Sequence, residues 1–220
     1  MEQNRKAPAP GPRLVVLEKD RIRVYPLDQK NKWLVGRETQ SSQPDIPVRA
    51  KIVSRQHGWL MGVEEDWYYV DNPGNLNGTF LNGSRIQKPV SGMRKPVSLR
   101  CGDVLRIDGE EDIPDPEAVV MLFTARPVKG CWAQHSLKNV RVMTIGGDPG
   151  CALSTRNPAD VPVQAKITAL NGRFYLAGCG ETAILNGKPL EGPEILRDRD
   201  HFSLGGRDYF FLGDRLIYEG

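Results

Sequence analysis

Residues 66–83 read DWYYVDNPGNLNGTFLNG, and this stretch decides the fold class. A short apolar run at 67–70 is followed by a loop rich in Asp, Asn, Pro and Gly, and then by a second short run at 79–81. Asn82-Gly83 then supplies the dipeptide typical of a tight turn between antiparallel strands. Runs this short do not make helices, so the stretch predicts two strands joined by a loop and followed by a turn.

The same pattern of short apolar runs separated by Gly, Pro, Asn and Asp extends along the chain. Further runs are LVVL (14–17), IRVY (22–25), VLRI (104–107) and VVMLF (119–123). No segment has the long 3.6-residue periodicity of an amphipathic helix. Regularly spaced short strands with turn signals predict an all-β fold made of sandwiches or barrels.

Three segments of the chain recur later in the same order, which indicates an internal repeat. DIPVRAKI (45–52) recurs as DVPVQAKI (160–167), LNG (81–83) as LNG (185–187), and GDVLRI (102–107) more weakly as RDHFSL (199–204). The offset shrinks from 115 to 104 to 97 positions, as expected if the second copy has shorter loops. Two repeats of this length predict duplicated globular domains rather than a solenoid.

The repeat divides the chain into three parts. Residues 1–12 are rich in Pro, Ala and polar residues, which predicts a disordered tail. The first domain is predicted at 13–127 and the second at 128–220, with the seam near Arg126 to Gly130. Each domain is long enough to bury its own core, so neither needs a disulfide or a metal because of its size.

Composition excludes several classes of function. The 220 residues carry a net charge of only +3 with acids and bases intermixed, which is too weak a basic stripe for general nucleic-acid binding. No apolar run approaches a membrane span, and the N-terminus lacks a secretory signal, so we expect a cytoplasmic protein without direct membrane insertion. The three histidines have no metal-ligand spacing and the four cysteines form no C-x-x-C pair, so we expect reduced thiols, no metal and no cofactor.

Four short motifs of the first repeat belong together. They are Gly36-Arg37 after an apolar strand, Ser54-Arg55-Gln56-His57, Asn77-Gly78-Thr79 before Phe80, and Asn82-Gly83. In this order they resemble the motif set of the forkhead-associated (FHA) family, and the resemblance covers residues 13–127. It implies two tandem FHA-like Greek-key β-sandwiches, the first of which binds a phosphothreonine peptide in loops at one end.

The resemblance also implies a role for each residue of the site. Arg37 and Arg55 would make charge-assisted contacts with the phosphate, Ser54 would donate its hydroxyl, and Asn77 would hold the peptide backbone. Such side chains suit a dianionic phosphate, because Arg presents a planar fork of donors and an Asn amide both donates and accepts. Support of the site would come from Gly36, His57, Gly78 and Thr79, with His57 bracing the Ser54 loop rather than acting in catalysis. One departure is Leu76, which stands where many family members place a Thr or Ser that contacts phosphate, so we expect reduced affinity.

The second repeat lacks these groups. Alignment of Gly146-Gly147 on Gly36-Arg37 removes the first arginine. The offset of 115 replaces Ser54, Arg55 and His57 by Ala169, Leu170 and Gly172, and the offset of 104 replaces Asn77 by Glu181. The sequence therefore predicts a degenerate FHA-like domain at 128–220 that has no phosphate site and serves as a scaffold.

Two functions fit the sequence. The favoured hypothesis is a non-enzymatic phosphothreonine-binding module that recruits a phosphorylated partner protein. The alternative is a phosphate-independent assembly module. Tandem FHA-like domains, the segment Met143–Gly146 and the region from Asp200 to Leu216 resemble the cytoplasmic N-terminal region of EssC-type FtsK/SpoIIIE ATPases of type VII secretion. A hydrolase is disfavoured because the sequence offers no activated nucleophile, no metal cluster and no Walker A motif.

Overall fold

The structure, a computed structural model, describes residues 11–19, 21–86, 95–109, 116–125, 131–155, 162–179 and 183–220. All regular elements among these residues are β-strands, which confirms the predicted all-β class. No helix there is long and apolar enough to cross a membrane. Nearly all of the predicted N-terminal tail and the predicted seam at 126–130 lie outside the described residues.

The first sandwich contains eleven strands in two sheets. They are β1 (Arg13–Glu18), β2 (Arg21–Pro26), β3 (Lys32–Arg37), β4 (Ile46–Val48), β5 (Gly58–Val63), β6 (Asp66–Asp71), β7 (Gly78–Leu81), β8 (Ser84–Arg85), β9 (Val97–Leu99), β10 (Val104–Asp108) and β11 (Val119–Thr124). One sheet has the order β2-β1-β11-β10-β7-β8 and the other the order β4-β3-β5-β6-β9. Their facing sides enclose a core that includes Leu14, Trp33, Leu60, Tyr69 and Met121. Alternate side chains along the strands point into this core, as in other packings of two sheets.

The second sandwich also has eleven strands. They are β12 (Trp132–Ser136), β13 (Val142–Gly146), β14 (Leu153–Ser154), β15 (Ala165–Leu170), β16 (Arg173–Gly178), β17 (Ile184–Leu185), β18 (Lys188–Pro189), β19 (Glu194–Leu196), β20 (His201–Leu204), β21 (Arg207–Leu212) and β22 (Arg215–Glu219). The sheet orders are β12-β22-β21-β20-β17-β18 and β14-β13-β15-β16-β19. A separate core includes Ile145, Ile167, Leu176, Phe202 and Tyr209. The two tandem sandwiches are therefore as predicted.

The strand connectivity of the two sandwiches differs by a circular permutation. Strands β2 to β11 occupy the same sheet positions as β12 to β21, in the same order. The position of β1, which is antiparallel to both β11 and β2, is filled in the second sandwich by the last strand, β22. The second sandwich thus obtains from its C-terminal end the strand that the first obtains from its N-terminal end.

Two of the three sequence repeats mark equivalent positions, and the third does not. Asn82 Nδ2 donates to Asp103 Oδ1 over 2.8 Å, and Asn186 Nδ2 donates to Asp200 Oδ1 over 2.9 Å, so the offsets of 104 and 97 are confirmed. The offset of 115 is wrong. Residues 45–52 pass through β4 into a loop, whereas residues 162–167 lead directly into β15. The first octapeptide contains the edge strand β4, whereas the second leads into the central strand β15, so their similar residues do not mark equivalent strands.

Strand pairing gives the corrected alignment. Val35 pairs with Gly58 in the first sandwich, and Ile145 pairs with Ala165 in the second, so β5 and β15 are offset by 107 positions. The counterparts of Arg55 and His57 are therefore Pro162 and Gln164, rather than Leu170 and Gly172 as predicted. Ala169 is likewise not the counterpart of Ser54, whose equivalent at 161 lies outside the described residues.

The outer faces of the two larger sheets pack against each other and form a third apolar cluster. Its buried members are Val15, Leu17, Val104, Val120, Leu122, Phe210, Leu212 and Ile217. The rings of Trp132 and Phe210 lie 5.9 Å apart at this interface. Strands β1 and β11 are buried on both faces, which explains why LVVL and VVMLF are continuous apolar runs rather than alternating ones. The two sandwiches therefore share a buried interface.

Candidate functional site

The predicted site residues meet at one end of the first sandwich. The end of β3, the loop between β4 and β5, and the loop between β6 and β7 converge there. We refer to residues 49–57 as the β4–β5 loop. The surrounding side chains form hydrogen bonds with the backbone of this loop, so the position of the loop determines the geometry of the whole site.

Gly36 and Arg37 fix the end of β3 against the β4–β5 loop. A Cβ atom on Gly36 would lie 2.1 Å from the carbonyl oxygen of Arg55, so only glycine permits this close approach. The backbone N–H of Arg37 donates to Ser54 O over 2.9 Å, and its Nε donates to Val53 O over 3.1 Å. The two Nη groups of Arg37 have no partner among the described residues. The Nε group of the Arg37 guanidinium is thus fixed, and its two Nη groups remain available for a ligand.

Ser54, Arg55 and Asn77 lie on or against the same loop. The side chain of Arg55 is exposed, and that of Ser54 is half-buried. Asn77 Nδ2 donates to the carbonyl oxygen of Ile52 over 2.7 Å, which ties the β6–β7 loop to the β4–β5 loop. The structure therefore brings all four predicted contact residues to one end of the sandwich, attached to the carbonyl groups of residues 52–54 or located beside them.

His57 lies beneath this end at the start of a directional hydrogen-bond chain. Its side chain is completely buried, and its Nδ1 accepts from the backbone N–H of Ser54 over 3.2 Å. The neutral imidazole therefore carries its proton on Nε2, which lies 3.1 Å from Thr79 Oγ1. Thr79 in turn donates to Asp71 Oδ1 over 2.8 Å. The chain links the loop backbone to a carboxylate in the sandwich interior.

The electrostatics of this chain follow from burial. Loss of hydration lowers the pKa of His57 to about 4, so the imidazole is neutral near neutral pH. Burial raises the pKa of Asp71, although the hydrogen bonds from Thr79 and Asn75 oppose that rise. Both ring nitrogens of this neutral histidine are hydrogen-bonded inside the sandwich, and its neighbour Thr79 donates to Asp71, as expected of a structural group. This geometry is the one expected of a residue that braces the loop.

Sequence reasoning missed Asn75 and Asn72. Asn75 is buried, and its Nδ2 donates to His57 O over 2.6 Å and to Asp71 Oδ1 over 2.9 Å. Asn72 Nδ2 donates to Gln56 O over 2.7 Å. The concentration of Asx residues in the loop at 71–77 was the available signal, because such side chains replace backbone partners in irregular segments.

Gly78 and Thr79, the first two residues of β7, have separate structural roles. Thr79 is completely buried within the hydrogen-bond chain. Gly78 is also buried, and a Cβ atom there would lie 2.7 Å from Nε of Arg85. The guanidinium group of Arg85 therefore packs against the backbone of Gly78. A larger side chain at this position would displace it.

Comparison with known families agrees with this geometry. The FHA domain family model matches residues 33–108, which contain every predicted site residue. The first sandwich contains an FHA domain. FHA domains bind phosphothreonine peptides in protein–protein interactions, and they are binding modules rather than enzymes.

Known proteins resemble different parts of the chain. The E3 ubiquitin-protein ligase DMA2 of Saccharomyces cerevisiae is 34% identical over 62 residues, which are 28% of this chain and only 12% of the ligase. The yeast Pml1p structure is 28% identical with a TM-score of 0.42 and covers 51% of this chain and 80% of its own. The N-terminal FHA domain of EssC, a component of the bacterial type VII secretion apparatus, is 13% identical with a TM-score of 0.38 and covers 94% of this chain and 90% of its own.

The surface of the FHA site has one unusual feature. Leu76, beside Asn77, is 90% exposed. A leucine cannot donate a hydrogen bond to a phosphate oxygen, so the contact implied for this position in many family members is lost here. An apolar side chain stands in the loop in its place.

The second sandwich has different chemistry at the equivalent end. Gly147 and Pro162 occupy the positions of Arg37 and Arg55 under the corrected alignment, and neither has a charged side chain. Gln164 takes the buried position of His57. Glu181, which the sequence aligned with Asn77, lies outside the described residues. A close approach survives, because a Cβ atom on Gly146 would lie 2.1 Å from the carbonyl oxygen of Pro162.

Proposed function

We propose that the FHA domain of this chain binds phosphothreonine peptides through Arg37, Ser54, Arg55 and Asn77, and thereby recruits a phosphorylated partner protein. The proposal rests chiefly on one observation. Arg37 and Asn77 are each anchored to loop carbonyl groups, while the Nη groups of Arg37 and the exposed side chain of Arg55 have no partner in the described part of the chain and can bind an anion. The anchoring of Arg37 through its Nε preorganises one positive charge, which lowers the entropic cost of binding.

The second sandwich acts as a scaffold in this proposal. The absence of arginine at Gly147 and Pro162 supports a role without phosphate recognition, and the apolar interface supports a structural role. The described residues contain four free cysteines, in keeping with the reducing cytoplasm that the proposal assumes for the protein. Neither nucleic acid nor a membrane is required as a partner.

Isothermal titration with three matched peptides tests the proposal. We expect a peptide with phosphothreonine to bind, and its phosphoserine and unmodified counterparts to bind much more weakly. Affinity should fall as salt increases, since the contact is electrostatic and partly exposed. Equal affinities for the three peptides would contradict the proposal and favour the phosphate-independent assembly module.

A charge-matched pair of variants separates specific contact from general attraction. Arg55→Ala should abolish most phosphopeptide binding. Arg100→Ala removes the same charge from an exposed position at the opposite end of the sandwich, and it should leave the affinity unchanged. Equal losses in both variants would show that the ligand responds only to net charge.

A further inference from the structure

Two carboxylates hold the backbone of the β4–β5 loop from below. Glu18 Oε1 accepts the backbone N–H of Arg49 and, over 2.7 Å, that of Ala50. Glu117 Oε2 accepts the N–H of Lys51 over 2.9 Å. Three successive N–H groups are therefore fixed by side chains that come from distant parts of the chain.

The same loop carries the candidate phosphate contacts immediately afterwards. The carbonyl groups of Ile52 and Val53 hold Asn77 and Arg37, respectively. A shift of the backbone at 49–51 would thus move both anchoring carbonyl groups. The positions of Glu18 and Glu117 consequently set the spacing of the site.

Arg199, in the second sandwich, donates hydrogen bonds to the turns that carry these two carboxylates. Arg199 Nη1 donates to Lys19 O over 3.2 Å, and its Nη2 donates to Pro116 O. Lys19 directly follows Glu18, and Pro116 directly precedes Glu117. Arg199 is only 6% exposed, so these bonds are shielded from water. One guanidinium group spans both turns.

Arg199 has a backbone conformation that is unusual for an arginine. Its φ of 67° lies in the left-handed region, which favours glycine. The equivalent residue of the first sandwich is Gly102, with a φ of 97°. An arginine thus occupies a position where the backbone favours glycine, and its side chain is committed to the neighbouring sandwich.

We propose that Arg199 is a positioning residue for the phosphopeptide site. Its two bonds fix the turns at 18–19 and 116–117, and the carboxylates of these turns fix the N–H groups of 49–51. The second sandwich thereby holds the β4–β5 loop in its binding conformation. The effect on peptide affinity rests on the proposed function, whereas the effect on the loop does not.

Arg199→Gly is the sharpest test, because glycine suits the backbone at this position and removes only the side chain. Arg197→Ala, an exposed arginine two residues earlier, is the matched control. Amide hydrogen exchange in the whole chain provides a ligand-free measurement. We expect exchange at 49–51 to rise about fivefold in Arg199→Gly, the change that corresponds to one ordinary hydrogen bond. The control should exchange like the wild type.

Peptide titration of the same proteins measures the functional consequence. Phosphothreonine-peptide affinity should fall about fivefold in Arg199→Gly if the loop must reorder on binding. A second variant, Glu117→Ala, removes the acceptor for Lys51. Once Glu117 is gone, Arg199→Gly should still raise exchange at 49–50 through Glu18, but it should add nothing at Lys51, whose acceptor is already absent.

The outcomes separate the two ideas. Unchanged exchange at 49–51 in Arg199→Gly would overturn the positioning role. Equal increases throughout β5 and β15 would also overturn it, because they would indicate general loosening. Local increases in a protein whose wild type binds no phosphopeptide would refute the proposed function and leave the positioning role standing. Local increases together with weaker peptide binding support both.

Discussion

Replacement of His57 by glutamine should alter how the stability of the FHA domain depends on pH. Glutamine is the residue found at the equivalent, fully buried position of the second sandwich, Gln164. It can accept and donate hydrogen bonds as the neutral imidazole does, but it does not titrate. His57→Gln therefore tests the protonation behaviour of the site with little change in the volume or polarity of the side chain.

The magnitude follows from the pKa of His57, which burial lowers from 6.5 to about 4. As the pH falls, the unfolded chain binds this proton before the folded chain does. The contribution of the neutral histidine is complete above pH 6.5 and is lost as the pH falls to about 4. A shift of this size corresponds to about 3 kcal/mol of unfolding free energy. The raised pKa of Asp71 acts in the opposite direction, but it is present in both proteins.

Urea denaturation at pH 7, 6, 5 and 4 measures the effect. Trp33, Trp59 and Trp67 lie in the FHA sandwich, so their fluorescence reports its unfolding, and a Trp132→Phe background removes the remaining tryptophan. At pH 7 we expect the variant to be less stable by about 1–2 kcal/mol, because the hydrogen bonds to Ser54 and Thr79 are less well formed. The two stabilities should converge or cross by pH 4. A constant difference from pH 7 to pH 4 would refute the assignment of a buried, neutral histidine.

Two further predictions concern packing. Gly36→Ala should lower the free energy of unfolding by about 1–3 kcal/mol and abolish phosphopeptide binding, whereas Gly146→Ala should have a similar effect on stability with binding retained. Denaturation and peptide titration measure both effects. Loss of binding in both variants would show that the second sandwich belongs to the site. Phe210→Ala should lower stability by about 3–5 kcal/mol and split the calorimetric transition in two, because Phe210 is completely buried in the cluster between the sandwiches. A single undiminished transition would argue against the shared interface.

The features that could be predicted from sequence are those that local chemistry specifies. The dipeptides Asn82-Gly83 and Asn186-Gly187 are typical of tight turns, and all four residues have positive φ values in the structure. Short apolar runs bounded by such turns permit few alternatives to strands. The site residues were predicted by a different route, because the order of four short motifs resembles the motif set of the FHA family.

The features that could not be predicted depend on long-range packing. The octapeptide repeat gave the wrong alignment because eight similar residues do not reveal to which strand they belong. The permutation depends on which strand pairs with β21, and no local pattern specifies this. Glu18 reaches the N–H of Arg49 across 31 positions of sequence, and Arg199 reaches Lys19 across 180. Neither contact has a signal in the neighbourhood of its own residue.

Comparison of the two sandwiches separates what the fold requires from what the ligand requires. The Asn82–Asp103 pair is reproduced as Asn186–Asp200, with both Asn side chains also accepting a backbone N–H, because the turn depends on it. Surface arginines contribute little to folding, so their absence at Gly147 and Pro162 does not disturb the core. The second sandwich also keeps a polar residue, the completely buried Gln164, at the position of His57. The groups retained in both copies are therefore structural, and the charged groups confined to the FHA domain are the ones that the proposed phosphopeptide binding would explain.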